Sequence, residues 1–382
     1  MIYPLLPLFL TSVLAAGPAT LGAIEGLAES TASLVKLGAG LRSDRTRRRK
    51  PVIVFGYALA AFVRPLVALA SSTGLVAAIR FTDRVGKGLR GAPRDALIAD
   101  SVDPALRGRA FGLQRSMDHA GALIGPLVAA ALLASGRFEL RTVFALAAVP
   151  GLLGVALLVW RVREPVREPV REPAREPAGP STIKPAATRG LGALPRGPLR
   201  RYLVVLLLFT LGNSSDAFLL LRAAELGLAP AHLPLLWAFF HLVKSAGALP
   251  LGAWSDRVDR RRLIIAGWAV YALVYLGFAR ASAAWHVWAL FAAYGLYYAL
   301  TEGVEKALLV DLAPAHARGG AFGWHAFVLG AGALPASLLF GALWQAWGPL
   351  AAFGAGAALA AAASVLLWVL VPRGAMRGGA AA

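Results

Sequence analysis

Apolar runs of about 20 residues follow one another along the whole chain, and that is the length a helix needs to cross the hydrocarbon of a bilayer. Read between turn signals, they predict twelve helices. The first six are α1 near residues 2–16, α2 19–41, α3 51–71, α4 74–98, α5 105–134 and α6 140–161. The second six are α7 near 200–221, α8 231–253, α9 261–280, α10 284–311, α11 317–345 and α12 349–371. Charged residues make up only 15% of the chain, against about a quarter in ordinary soluble domains. The expected class is an all-α polytopic membrane protein.

The net charge of +19 would suggest a nucleic-acid partner in a soluble protein, but its distribution excludes that. Lys and Arg cluster at 42–50, 107–109, 161–201 and 257–262 and at Arg373 and Arg377. The alternate loops around Gly17, Ser72 and Trp347 have almost none. This is the positive-inside pattern, and it predicts a multi-pass protein of a prokaryotic plasma membrane with both termini cytoplasmic. Without cysteine there are no disulfides or thiolate metal sites.

MIYPLLPLFLTSVLAA lacks the basic start of a signal peptide and reads as membrane helix. About 15 residues precede Gly17-Pro18, short of a full span, so the first half of α1 is expected to be missing from this sequence. The expected domains are an N-terminal bundle (1–161), a cytoplasmic linker (162–199), a C-terminal bundle (200–372) and a cytoplasmic tail (373–382). The linker is a tandem Arg-Glu-Pro-Val/Ala repeat whose closely spaced prolines keep it extended and solvated.

The two sets of helices repeat one another. GLRSDRTRRRK (40–50) matches GAWSDRVDRRR (252–262), and ADSVDPALRGRAFG (99–112) matches VDLAPAHARGGAFG (310–323), at the same offset within each half. Paired six-helix repeats are the architecture of many secondary transporters, with the substrate path at their interface.

The element G-x-x-S-D-R with its basic run, between α2 and α3 and again between α8 and α9, resembles the signature loop of the major facilitator superfamily. Arg47 and Asp259 stand where that pattern has glycine. RFTDRVGKG in α4 is similar to the family's R-x-x-Q-G-x-G, with Asp83 and Arg84 replacing Gln and Gly. GALIGPLVAA (121–130), with Gly121, Gly125 and Pro126, resembles the helix-five motif associated with antiporters, alanines replacing its last glycine pair. The resemblance covers essentially the whole chain. It implies two six-helix bundles related by a pseudo-two-fold axis, with α1, α4, α7 and α10 lining a central cavity.

The chemistry lies in charges within apolar spans. On α4, Arg80, Asp83, Arg84, Lys87, Arg90 and Arg94 recur every three or four residues and share one face. An unpaired charge at the bilayer centre costs at least about 2.5–3.5 kcal/mol, so these groups face an aqueous path or one another. Counter-charges are available from Glu25 and Glu29 on α2, Arg115, Asp118 and His119 on α5, Asn213 and Asp216 on α7, and Glu302, Glu305 and Lys306 beside Tyr298 on α10. The resemblance favours Asp83, Asp216 and Glu302. The expected substrate and proton pathway therefore comprises Arg80, Asp83, Arg84, Lys87, Asp216, Asn213, Glu302, Glu305, Glu25, Glu29 and Asp118. Structural ion pairing between the halves is the competing reading for each carboxylate.

Asp44 beside Arg45 and Asp256 beside Arg257 sit at helix ends, either as a latch between the halves or as topological anchors. His241 and Lys244 on α8 and His325 on α11 read as packed interior groups. GKGLRG (86–91) matches a dinucleotide fingerprint in letters only, since it lies inside one continuous helix. No metal set, cofactor motif or nucleophile–base pair is present, which leaves a monomeric, proton-coupled carrier of a small solute in the bilayer, working by alternating access. A lipid translocase and a non-transporting sensor remain the alternatives.

Overall fold

The computed structural model describes residues 9–10, 14, 18–46, 48–164, 195–229 and 232–372, the side chains of 18–29 excepted. Most of α1, Arg47, most of the linker and the C-terminal tail therefore lie outside the described residues. Within them every regular element is a helix.

The spans follow the sequence pattern, with breaks where the local chemistry demands them. α2 covers Pro18–Thr46. α3, Lys50–Val63, tightens into a 3-10 turn, Arg64–Leu69, at Pro65, whose missing N–H cannot continue the α-helical ladder. α4 runs Thr73–Ser101 from an N-cap in which Ser72 accepts the Leu75 N–H at 3.2 Å. α5 is Arg107–Ala134, and α6 is split into Leu140–Leu146 and Ala148–Arg161.

α7, expected as one helix, is two: Gly197–Gly212 and Ala217–Glu225. The break falls on Asn213-Ser-Ser-Asp216, where short polar side chains compete for backbone groups; Ser215 Oγ accepts the Ala217 N–H at 3.3 Å. α8 is Leu233–Trp254, α9 Arg260–Arg280 and α10 Ala284–Leu312. α11 and α12 together occupy Arg318–Leu370 and part at Gly348, whose φ of 80° is the left-handed conformation open to glycine, followed by Pro349.

Seven stretches of the described residues are long and apolar enough to cross a membrane. α2, α4 and α10 are each 29 residues long but are not among the seven. α4 shows why: its interior carries the charged stripe. Side chains such as Phe62, Leu153, Leu273, Leu334 and Val369 are exposed on the outside of the bundles, where lipid would cover them.

The two halves meet along two seams, α2 on α11 and α5 on α8. Small residues set the spacing. A Cβ on Gly252 would collide with the Gly108 carbonyl and with Gly112, and one on Gly40 would collide with the Gly319 carbonyl. Backbones therefore approach as closely as in small-residue membrane packing. Further along the α5–α8 seam, Ser116 Oγ donates to the Ser245 carbonyl (2.7 Å) and Ser245 Oγ to the Ser116 carbonyl (2.9 Å).

Because the native chain has no cysteine, this seam can be tested by cross-linking. Ser116→Cys with Ser245→Cys is expected to form a disulfide spontaneously, joining the two fragments on a non-reducing gel after proteolysis in the 165–194 segment. Separate fragments would place α5 away from α8.

Candidate functional site

At the arginine-rich end the halves are held by two equivalent clasps. Asp44, at the end of α2, accepts the backbone N–H groups of Gly319 (2.9 Å) and Gly320 (2.6 Å), which open α11 in the other half. Asp256, at the end of α8, accepts those of Gly108 (2.7 Å) and Arg109 (2.8 Å), which open α5. Each carboxylate thus occupies a helix N-terminus, where orphan donors and the macrodipole both favour an anion.

Each clasp is backed by ion pairs. Arg49 bonds Asp44 (3.2 Å) and Asp100, and Asp100 is bound across the seam by Arg318 (2.6 Å). Arg260 bonds Asp256 (2.8 Å) and Asp311, and Asp311 meets Arg107 across the seam at 3.6 Å. Arg49 and Arg260 therefore back the clasps, while the expected Arg45 and Arg257 are exposed. The reason is directional: a residue next to the aspartate points away round the helix, whereas one beyond the turn comes back to it. Asp259 accepts the Arg261 N–H at 3.0 Å and caps α9. Burial alone would raise its carboxyl, but the hydrogen bonds and charge of Arg261 hold it below the ordinary value.

Some 16 Å further along α5 lies a second polar layer, built where α5, α8 and α10 converge. Glu302 is its centre: its carboxylate meets His119 Nε2 (2.7 Å), Lys244 Nζ (3.7 Å) and Arg115 Nε (3.8 Å). His241 Nδ1 lies 3.3 Å from His119 Nδ1, so α8 and α5 touch through two imidazoles. On the α7 side, the Tyr294 hydroxyl donates to Asp216 Oδ1 (2.6 Å) and lies 3.3 Å from that of Tyr298.

Towards the clasps, Lys306 bonds Asp95 (2.7 Å) and Gln114 (2.9 Å). Arg94 bonds Asp95 (3.1 Å), and Arg94 and Arg115 approach Asp118 at 4.0 and 3.7 Å. Four carboxylates, Asp95, Asp118, Asp216 and Glu302, are thereby set among four cations, Arg94, Arg115, Lys244 and Lys306. Counted as formal charges, the four carboxylates and four cations match. A change of one proton or one bound ion unbalances the layer, and in a low-dielectric interior that is a large perturbation.

The remaining expected residues lie elsewhere. Arg80, Asp83, Arg84, Lys87 and Arg90 line a cavity of about 670 Å³ between α3, α4 and α6, inside the N-terminal half. There Asp83 accepts from Arg64 Nε (2.6 Å) with Arg80 at 3.6 Å, and the Arg90 guanidinium lies over the Tyr57 ring at 4.1 Å. Phe9 and Leu10 of α1 pack on Val67 and Ile79 at one end of the same space. In the C-terminal half the equivalent position is filled by α7: Phe209 stacks on Trp268 (4.4 Å), and Tyr271 donates to the Gly212 carbonyl (2.8 Å).

Glu305 sits within the C-terminal half, bonded by Trp268 Nε1 (3.3 Å) with His325 at 3.7 Å. Asn213 ends the first segment of α7, its N–H on the Thr210 carbonyl at 3.0 Å. Gly121 is exposed, with nothing within 4 Å of a Cβ built on it, while Gly125 and Pro126 lie half-buried in α5. The side chains of Glu25 and Glu29 lie outside the described residues. No group of three His, Cys, Asp or Glu among the described residues could hold a metal ion.

The sequence presents His119 as one of several counter-charges and His241 and Lys244 as packed interior groups; in the structure His119 and Lys244 meet Glu302, and His241 meets His119. The one available signal was their recurrence with serine: Ser116 and His119 on α5, His241 and Ser245 on α8. Both pairs belong to longer polar strips, with Gln114, Arg115 and Asp118 on α5 and Lys244 on α8.

The sequence profile of the Major Facilitator Superfamily matches residues 1–222 and again 217–381. An uncharacterized MFS-type transporter of Methanocaldococcus jannaschii is 32% identical over 373 residues, spanning 96% of this chain and 89% of that protein. The multidrug resistance protein MdtH of Klebsiella pneumoniae is 25% identical over 307 residues, spanning 78% of this chain and 72% of its own. Among solved structures, the human organic anion transporter MFSD10 superposes with a TM-score of 0.72 at 16% identity, covering 94% of this chain and 88% of that one. The proton:xylose symporter XylE gives 0.69 at 14% identity, covering 95% and 90%. Two matched repeats, a clasp repeated in each half and the helical bundles agree: the chain is a multi-pass membrane protein and belongs to the Major Facilitator Superfamily.

Proposed function

We propose that the protein is a secondary active transporter that moves a small solute by alternating access, coupled to protons. The observation that carries this reading is the stacking of two layers on the seam between the halves. A charge-balanced polar layer at mid-depth lies behind a pair of clasps that close one end. A scaffold needs no buried ion network that depends on two separable halves, and buried pairs are poor sources of stability in themselves.

By the positive-inside rule the arginine-rich end is cytoplasmic, as are both termini, and the membrane is the prokaryotic plasma membrane. The conformation described is then closed to the cytoplasm. The clasps hold it there; rocking inward requires Asp44 and Asp256 to leave the N-termini of α11 and α5. Glu302 is the coupling carboxylate, since its partners come from α5 and α8 and cannot all be kept when those helices separate. The relative named for multidrug resistance supports small-molecule cargo; export in exchange for protons is the direction proposed. The working unit is a monomer, because the path lies within one chain.

Two substitutions test this. Asp256→Asn keeps the volume but removes the charge from the α5 N-terminus, and a hydrogen bond to a charged group contributes about 1.5–3 kcal/mol. Spin labels on the α4–α5 and α10–α11 loops are expected to show the cytoplasmic-open population raised roughly tenfold or more, with transport slowed in proportion. Unchanged distances would make Asp256 a topological anchor only. Glu302→Gln is expected to abolish the response of transport to a pH gradient in proteoliposomes, any residual flux being indifferent to it. Wild-type transport indifferent to the gradient would remove proton coupling from the proposal, and movement of labelled lipid instead of solutes would replace the cargo class.

A further inference from the structure

The ammonium group of Lys244 is held as a cationic ligand would be. Its Nζ lies 3.5 Å from the Tyr298 ring centroid and 4.8 Å from that of Phe240, over the ring faces where an aromatic quadrupole attracts a cation. Phe240 is stacked on Tyr294 at 5.2 Å and flanked by Trp237 at 5.3 Å, so the walls are rigid. Two carboxylates supply the charge: Glu302 Oε1 at 3.7 Å and, on the far side of Tyr294, Asp216. The Glu302 contact is longer than a hydrogen bond, and the lysine is tethered by a flexible stem of four carbons. Little geometric complementarity holds this ammonium beyond its charge and the ring faces.

We propose that this aromatic and carboxylate box is the recognition site for an organic cation, an amine or quaternary ammonium, and that Lys244 occupies it as a tethered stand-in until cargo displaces it. The inference rests on the transport reading above and adds the chemical class of the cargo. Charge balance supports displacement over co-occupancy. The four cations and four carboxylates of the layer are matched with Lys244 in the box. A monovalent cation entering the box preserves that balance locally only when the lysine ammonium withdraws. An anionic cargo would instead have to sit against Glu302 and Asp216.

The test is binding of tetraethylammonium to the purified full-length protein, followed by titration calorimetry, with benzoate as the anionic comparison. Lys244→Ala empties the box and is expected to bind tetraethylammonium at least tenfold more tightly than wild type. Lys244→Met, which removes the charge but fills part of the space, gives a smaller gain, and serves if the alanine variant does not fold. Adding Glu302→Gln or Tyr298→Leu to Lys244→Ala is expected to cancel the gain. The proposal is overturned if both Lys244 variants leave the affinity within twofold of wild type, or if benzoate is the probe that gains. Binding is read without transport, so cation binding with no flux in proteoliposomes would refute the transport reading and leave the box standing. Flux of a solute with no cation binding would do the reverse.

Discussion

The architecture depends on a carboxylate accepting two backbone N–H groups at the start of a helix that belongs to the opposite half. Asp44 does this for α11 and Asp256 for α5. Because the donors are backbone groups at a helix N-terminus, the clasp needs no side chain at the receiving position beyond one small enough to let the carboxylate in. Gly319, Gly320 and Gly108 meet that need; a Cβ on Gly319 would reach within 2.7 Å of Asp44 Oδ1, and one on Gly108 within 2.7 Å of Asp256 Oδ1. The two clasps hold four such hydrogen bonds, each of about 1.5–3 kcal/mol, which together match or exceed the roughly 5.5 kcal/mol that carries a two-state equilibrium from one side to the other. That magnitude suits a catch that must release; a permanent weld would need a larger and drier interface.

The clasps also explain why the polar layer is where it is. Closing one end brings α5 against α8 along a line of glycine, alanine and serine, and the backbones stay close as far as Ser116 and Ser245. Beyond that point side chains must fill a widening gap, and the chain fills it with His119, His241, Lys244 and Glu302. The layer is thus formed by closure at the other end, and opening there would dismantle it. On the proposed transport reading this links gate and site through packing and charge alone.

The halves share a plan but not their contents. In the C-terminal half the slot between α9, α10 and α12 is packed by α7 with stacked aromatics, Phe209 on Trp268 and Tyr271 on Tyr275. In the N-terminal half the matching space is lined by Arg64, Arg80, Arg84 and Lys87 around Asp83. The helical period of α4 placed these charges on one face, and that reading holds. What it could not supply is the neighbour of that face, which among the described residues is α3 and α6 for Arg80 to Arg90 and the seam for Arg94.

Hydropathy, charge distribution and internal repetition were sufficient to determine the helical class, the two bundles and the pairing of the loops that carry Asp44 and Asp256. These follow from what each segment requires of its solvent, and every residue carries that information locally. Which arginine backs a clasp, which helix a charged stripe faces, and that His119 and Lys244 meet Glu302 while His241 meets His119 were decided by the tertiary structure alone. Those facts depend on the rotation of each helix about its axis and on contacts between different helices, such as His119 with Glu302, 183 positions apart. Hydropathy is nearly blind to both, because a single lysine or histidine on a buried face reads the same whether it meets a carboxylate, a ring or a bound cation.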